Sequence, residues 1–312
     1  MTTITKQAML SERQQKSGRK NRTLHLMLLP AVILTIIFCY LPMGGLVIAF
    51  QDFDPAVGFW GEQTWCGLDN FRFLLNMPDI WQVTFNTLYM AVCKIIFGQL
   101  LAIVMSILLN ELTCQTFKRL SQTAIYLPYF ISWVVLSGIF IDILSPSTGL
   151  INQCLKFFGL EPIYFLGDKT WFPITMIITD CWKGFGFGTV IYMATIANIP
   201  QDLYEVATVD GASRWQKIWH ITLPGMKMII VLIALLNLGT IFSANFDQIF
   251  NMYSPQVYQT GDVLDTLIYR MGLEDMQFGI STAAGFLKSA VSGLLISATY
   301  YLAYKFADYR IF

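Results

Sequence analysis

The sequence predicts an all-α integral membrane protein with six transmembrane helices. Three observations carry that reading. Apolar residues make up 55% of the chain, charged residues only 13%, and the apolar residues cluster into six long runs. Ordinary soluble domains carry about 25% charge. The runs lie at about 24–50, 83–110, 122–144, 171–197, 227–250 and 284–307, each supplying the roughly twenty residues that cross a bilayer. Lipid offers the backbone no hydrogen-bond partner, so each run is expected to be a helix.

Residues 1–23 read as a basic cytoplasmic tail with Lys6, Arg13, Lys16, Arg19, Lys20 and Arg22, and 24–312 as one transmembrane domain. The first run is too long for a secretory signal and no small-x-small cleavage site follows, so it reads as a retained span. Pro30, Pro42, Pro128 and Pro173 fall near the ends of runs, where a missing amide is tolerated. Lys118, Arg119, Arg214, Lys217, Lys227, Lys305 and Arg310 join the tail on one side, against Arg72, Lys156, Lys169 and Arg270 on the other. By the positive-inside rule both termini are cytoplasmic. The net charge of zero hides this asymmetry, and nothing in the chain points to nucleic acid.

Five charges fall within or beside the spans and are expected to face a cavity or a partner: Lys94, Asp142, Asp180, Lys183 and Asp247. Asp180 and Lys183 stand one turn apart, close enough to pair. Lys288 lies nearer an outer end and can snorkel. The fourth span carries Asp180-Cys-Trp-Lys-Gly-Phe-Gly-Phe-Gly188, where alternate glycines allow close approach of a neighbouring helix or of a ligand. The fifth adds Asn237, Thr240, Asn245 and Asp247. Outer loops at 51–82, 145–170 and 251–283 are short and aromatic, with Phe59, Trp60, Trp65, Phe71 and Trp81 in the first. Asp262–Gly272 reads as a short amphipathic helix. Cys66 and Cys154 are the two cysteines placed to form an outer disulfide.

Catalysis by the chain itself finds little support. There is no GxxxxGK[ST], HExxH or GxSxG, the six cysteines include no CxxC, and only His25 and His220 are available to a metal. Uphill work would need energy from another subunit.

Between the fourth and fifth spans lies a polar interlude, residues 198–224. Pro200 opens a short helix, Leu203, Ala207 and Asp210 share a face, and Gly211 supplies a left-handed stop. Ser213 then caps a second helix from Trp215 to Ile221, and Pro224 is expected to break the chain again. Such a knob on the cytoplasmic side gives a partner something to push against.

Glu205, Ala207, Gly211, Ile221, Leu223 and Pro224 match the spacing of the EAA loop, E-A-A-x3-G-x9-I-x-L-P, with Val206 as the one departure. The chain thereby resembles the permease subunits of binding-protein-dependent ABC importers, which have the type I importer fold with a coupling helix between helices 4 and 5. Asp202–Ser213 looks like the carbohydrate-uptake, maltose-type branch. Tyr40–Asp54 and Asp262–Gly272 are similar to the six-span permeases that import oligosaccharides from polysaccharides. The similarity runs from about residue 24 to 300.

The resemblance implies a heterodimer with a second homologous permease, two ATPase subunits and an extracellular solute-binding protein, with an oligosaccharide as cargo, in a bacterial cell membrane. ATP and Mg would be used by the ATPases and no cofactor bound by this non-catalytic chain. Glu205, Val206, Ala207, Asp210, Gly211, Leu223 and Pro224 would form the coupling surface, with Glu205 fixing the knob by local polar contacts. Trp182, Gly184 and Phe187 fall where maltose-type permeases contact sugar, and Asn237, Thr240, Asn245 and Asp247 lie on a span used likewise. Lys94 and Lys183 would either meet the carboxylates of an acidic oligosaccharide or be paired inside the bundle. The glycines would either line the pathway or only pack. The EAA loop also occurs in importers of peptides, amino acids and ions. A passive channel or a membrane enzyme is the remaining class, although a channel needs no knob and the intramembrane aspartates have no histidine companions.

Overall fold

The computed structural model describes residues 25–59, 61–239 and 241–307, with side chains as far as Tyr301. The basic tail 1–23, Trp60, Thr240 and Arg310 lie outside them.

Helix α1, His25–Phe50, takes the first apolar run. Pro42 sits inside it rather than at its end, and the helix accommodates the missing amide by a local change of pitch. Ile36–Tyr40 forms a π turn in which the Leu41 N–H reaches back to the Ile36 carbonyl, and Leu41–Phe50 winds on more tightly. Ala49 is its one buried residue. Its C-terminal end is held by Phe50 against Phe71 and Phe286, at 5.2 and 6.1 Å between ring centroids. Strands β1 (Gln51–Asp52) and β2 (Thr64–Trp65) pair antiparallel in the loop after α1. Helix α2, Asp69–Asn76, follows, and Asn70 Nδ2 donates to the carbonyls of Ala49 and Gln51, each at 3.0 Å.

The centre is the pair α3 (Ile80–Glu111) and α7 (Trp171–Ala197), which pack along each other. Between spans lipid tails are as apolar as leucine, so dispersion and close backbone approach, not burial, hold helices together. The α7 glycines divide on this point. A Cβ at position 186 would sit 2.2 Å from the Ile125 carbonyl oxygen and one at 188 would sit 3.0 Å from Ala102 Cβ, whereas nothing lies within 4 Å of one at Gly184.

The third span is not the continuous helix expected over 122–144. Helix α4 (Gln115–Phe130) and helix α5 (Trp133–Ile143) meet at 103°. Pro128 removes a donor from the last turn of α4, Ile131 and Ser132 are extended, and the Ser132 hydroxyl caps α5 by accepting from Val135 N. Helix α6, Leu150–Phe157, lies in the loop after α5.

Helices α8 (Gln201–Val209) and α9 (Arg214–Lys217) form the knob. Pro224 does not break the chain. A π turn at Ile218–Thr222, with Leu223 N–H donating to the Ile218 carbonyl, leads into α10 (Leu223–Leu238), so Arg214–Leu238 runs as one helix. The fifth span also stops earlier than expected: α10 ends at Leu238, and α11, Phe246–Met252, starts afresh after Asn245 at φ 66°.

The segment after α11 holds α12 (Tyr258–Gly261) and α13 (Leu264–Tyr269), the latter continued by a π turn over Arg270–Glu274. Helix α14, Phe278–Ala307, completes the fold. Helices α1, α3, Arg214–Leu238 and α14 are each long and apolar enough to cross a membrane, and the bent pair α4–α5 adds another. At 27 residues, α7 is about 40 Å long, but Asp180 and Lys183 interrupt its apolar character. Lys288 pairs with Asp265 of α13 instead of snorkelling. Cys66 and Cys154 are both free thiols, so the outer disulfide is absent.

Candidate functional site

The knob is rigid by construction. Gly211, at φ 78°, turns the chain after α8, and Ala212 N donates to the Ala207 carbonyl at 2.8 Å. Ser213 and Gln216 form a reciprocal capping box, Gln216 Oε1 accepting from Ser213 N at 2.7 Å. Lys217 Nζ donates to Thr208 Oγ1 at 2.7 Å, tying α9 to α8, and the Tyr204 and Thr222 hydroxyls meet at 2.9 Å. Ile199 and Gly225 pinch the base together: a Cβ at 225 would lie 2.7 Å from Ile199 Cδ1. Sequence reasoning passed over Gly225, although its place after Leu-Pro was available as a signal.

The exposed apolar face of α8 includes Val206 of the expected coupling set and adds Leu203 and Val209. Ala207 is half-buried, while Leu203, Val206 and Val209 are exposed, Val209 at 88%. Spaced by three, they form one apolar stripe. Asp210 caps α8 through its N–H to Val206 and is exposed, as is Pro224, with Leu223 half-buried. Glu205 is exposed beside a cavity of about 340 Å³ that it shares with Glu111, Arg214 and Lys217. Among the described residues no hydrogen bond reaches its carboxylate, so the polar contacts that fix the knob come from Ser213, Gln216, Lys217 and Tyr204 and not from Glu205.

Within the membrane a second constellation forms around Lys94. Its side chain is 7% exposed, and Nζ donates to the Ala244 carbonyl at 2.9 Å and to Gln248 Oε1 at 2.5 Å. Asp180 Oδ1 lies 3.9 Å away and accepts from Asn245 Nδ2 at 2.8 Å. Gln248 Nε2 donates to the Met176 carbonyl and Thr179 Oγ1, both at 2.8 Å. Asp180 thus pairs with Lys94 and not with Lys183. Buried charge is costly unless paired and hydrogen-bonded, and this network meets both conditions. Gln248, fully buried, is its keystone. Being uncharged, it stood out less than its neighbour Asp247.

Beside this network a cavity of about 460 Å³ is lined by Lys94, Asp180, Gly184, Phe187, Asn237 and Asn245. The remaining pathway residues lie elsewhere. Trp182, two residues from Gly184 and so about 200° around α7, packs edge-to-face on Phe140 at 5.7 Å and lines a separate apolar groove with Tyr89 and Phe97. Lys183 Nζ lies 5.6 and 5.2 Å from the Tyr129 and Trp133 ring centroids and donates to the Tyr129 carbonyl at 3.3 Å. Tyr129 in turn stacks on Phe187 at 4.6 Å. Asp247 is exposed on α11 and does not line the cavity, and Thr240 is outside the described residues.

Comparison with known proteins gives this geometry a context. Residues 94–309 match the family model described as binding-protein-dependent transport system inner membrane component. The polygalacturonan/rhamnogalacturonan transport system permease protein YteP of Bacillus subtilis (strain 168) is 36% identical, across 94% of this chain and 91% of its own. A crystal structure of a bacterial ABC transporter importing the acidic polysaccharide alginate contains a chain similar at TM-score 0.85 and 36% identity, covering 94% of this chain and 99% of that one. A bacterial alginate transporter in complex with its alginate pentasaccharide-bound periplasmic protein aligns at TM-score 0.85 and 35% identity, covering 95% and 98%. With an EAA-type knob, a cavity between its spans bordered by Lys94 and Asp180, and a family match over most of its length, the chain belongs to the inner-membrane components of binding-protein-dependent transport systems.

Proposed function

We propose that this permease is one half of a heterodimeric importer for an oligosaccharide, acidic in character, delivered by an extracellular binding protein and driven by two ATPase subunits. The similarity to the alginate importer along nearly the whole chain carries this reading. The relative that handles polygalacturonan and rhamnogalacturonan supports the same cargo class. ATP and Mg are used by the ATPases, and this chain binds neither and catalyses nothing itself. Both termini face the cytoplasm, a reading that the lysine and arginine distribution supports.

Leu203, Val206 and Val209 seat in an ATPase groove, while Ala207, Gly211, Leu223 and Pro224 hold the knob in shape and Glu205 and Asp210 stay at its polar rim. The cargo passes the cavity bordered by Asp180, Gly184, Phe187, Asn237 and Asn245. Aromatic faces there meet C–H surfaces, and carboxylate and amide groups meet hydroxyls. Reconstitution in proteoliposomes with the second permease, the ATPases and the binding protein tests this. Uronate oligosaccharides are expected to enter the vesicles and to raise ATP hydrolysis. Hydrolysis that responds to amino-acid- or peptide-loaded binding protein, and to no oligosaccharide, overturns it.

A further inference from the structure

Two lysines lie deep within the spans, and each spends a donor on a main-chain carbonyl of another element. Lys94 of α3 reaches Ala244 at 2.9 Å, and Lys183 of α7 reaches Tyr129 at 3.3 Å. Both carbonyls sit where a span is interrupted. Tyr129 is in the last turn of α4, whose carbonyls lose their helical partners because α5 departs at 103°. Ala244 lies in the non-helical stretch between α10 and α11, next to Asn245 in the left-handed region. At that depth lipid offers a freed carbonyl no partner, and irregular backbone survives only where protein buries it or a water-filled cavity meets it. A cation at the carboxyl end of α4 also meets the negative end of the helix dipole.

We propose that Lys94 and Lys183 are positioning residues that fasten the two interrupted spans to the α3–α7 pair, rather than ligands for the carboxylates of the cargo. The assignment rests on the permease reading above. Lys94 clamps the fifth span, with Gln248 carrying the link on to Met176 and Thr179 of α7. Lys183 clamps the third, its ammonium covered by the Tyr129 and Trp133 rings on either side of the bend. Since α3 and α7 pack on each other, both breaks are registered to one central pair.

Hydrogen exchange by mass spectrometry on the assembled transporter in lipid nanodiscs, without ATP or cargo, tests the assignment. Lys183→Met is expected to speed exchange about tenfold over residues 129–133 and to leave 241–246 unchanged. Lys94→Met is expected to do the reverse. Lys183→Arg, which keeps a donor in reach, restores protection at 129–133. In transport, Lys183→Met lowers kcat while leaving KM unchanged for acidic and neutral oligosaccharides alike. Native protection at 129–133 in Lys183→Met, together with a KM that rises for acidic cargo only, overturns the proposal, and it does so even if Lys94→Met fails to assemble. Exchange is read without cargo, so failure to import an oligosaccharide leaves this test standing.

Discussion

Three glycines at alternate positions of α7 meet three environments. At Gly186 the backbone of α4 comes so close that any side chain collides with the Ile125 carbonyl, at Gly188 an added Cβ presses on Ala102 of α3, and Gly184 opens on the cavity. Gly186→Ala should therefore cost about 1–3 kcal/mol, as overpacking does, and lower the thermal midpoint of the purified protein in detergent. Gly184→Ala should leave that midpoint in place, and equal losses from the two would remove the distinction. The glycine spacing was visible in the sequence, but the assignment of each to packing or cavity was not, because it depends on which neighbour faces which side of α7. Asp180 makes the same point. The sequence offered it Lys183 one turn away, whereas the fold brings it Lys94 from a different helix.

For the elements, the knob was the most legible part. Gly211 and Ser213 are local signals, and each acts where it stands, as the left-handed stop and the capping box. Pro224 was a less reliable marker. A π turn lets the residue before a proline donate five positions back, at Leu223 as at Leu41, so neither Pro224 nor Pro42 ends its helix. The two interrupted spans were not legible at all. Their non-helical residues include Ile131, Ile241, Phe242 and Ala244, which read as apolar span, and the breaks are sustained by side chains from other helices. The apolar stripe on α8 carries a prediction at this scale. Val206→Asp and Val209→Asp should each weaken ATPase co-purification about tenfold or more, as loss of an apolar anchor does. Both residues are exposed, so the thermal midpoint should stay put, and unaltered co-purification would move the docking face elsewhere.

Across the whole molecule, an outer layer closes the bundle. Asn86 Nδ2 donates to the Gln259 and Asp262 carbonyls at 3.1 and 3.2 Å, and Leu264 N donates to Thr87 Oγ1 at 2.9 Å, so α12 and α13 are stitched to α3. Arg270 meets Asp262 at 2.5 Å and lies over Tyr258 at 4.3 Å. Burial works against the Arg270 charge, but the hydrogen bond and charge of Asp262 more than offset it and raise its pKa, so it stays protonated. Arg270→Met leaves the Asp262 carboxylate buried and uncompensated, a loss of about 3–5 kcal/mol to be read by thermal unfolding. Adding Asp262→Asn should recover part of it, and no recovery would mean that the guanidinium acts by packing alone. The Lys94–Asp180 pair has a consequence of another kind. A bacterial membrane holds an electrical potential, and a lone charge displaced through it gains or loses about 2.3 kcal/mol per 100 mV. Lys94 and Asp180 sit on two helices packed as one body, so any excursion of that body carries both signs together. The pair is electrically silent, and membrane voltage acts on that body through the other intramembrane charge of α7, Lys183, which sits among aromatic rings.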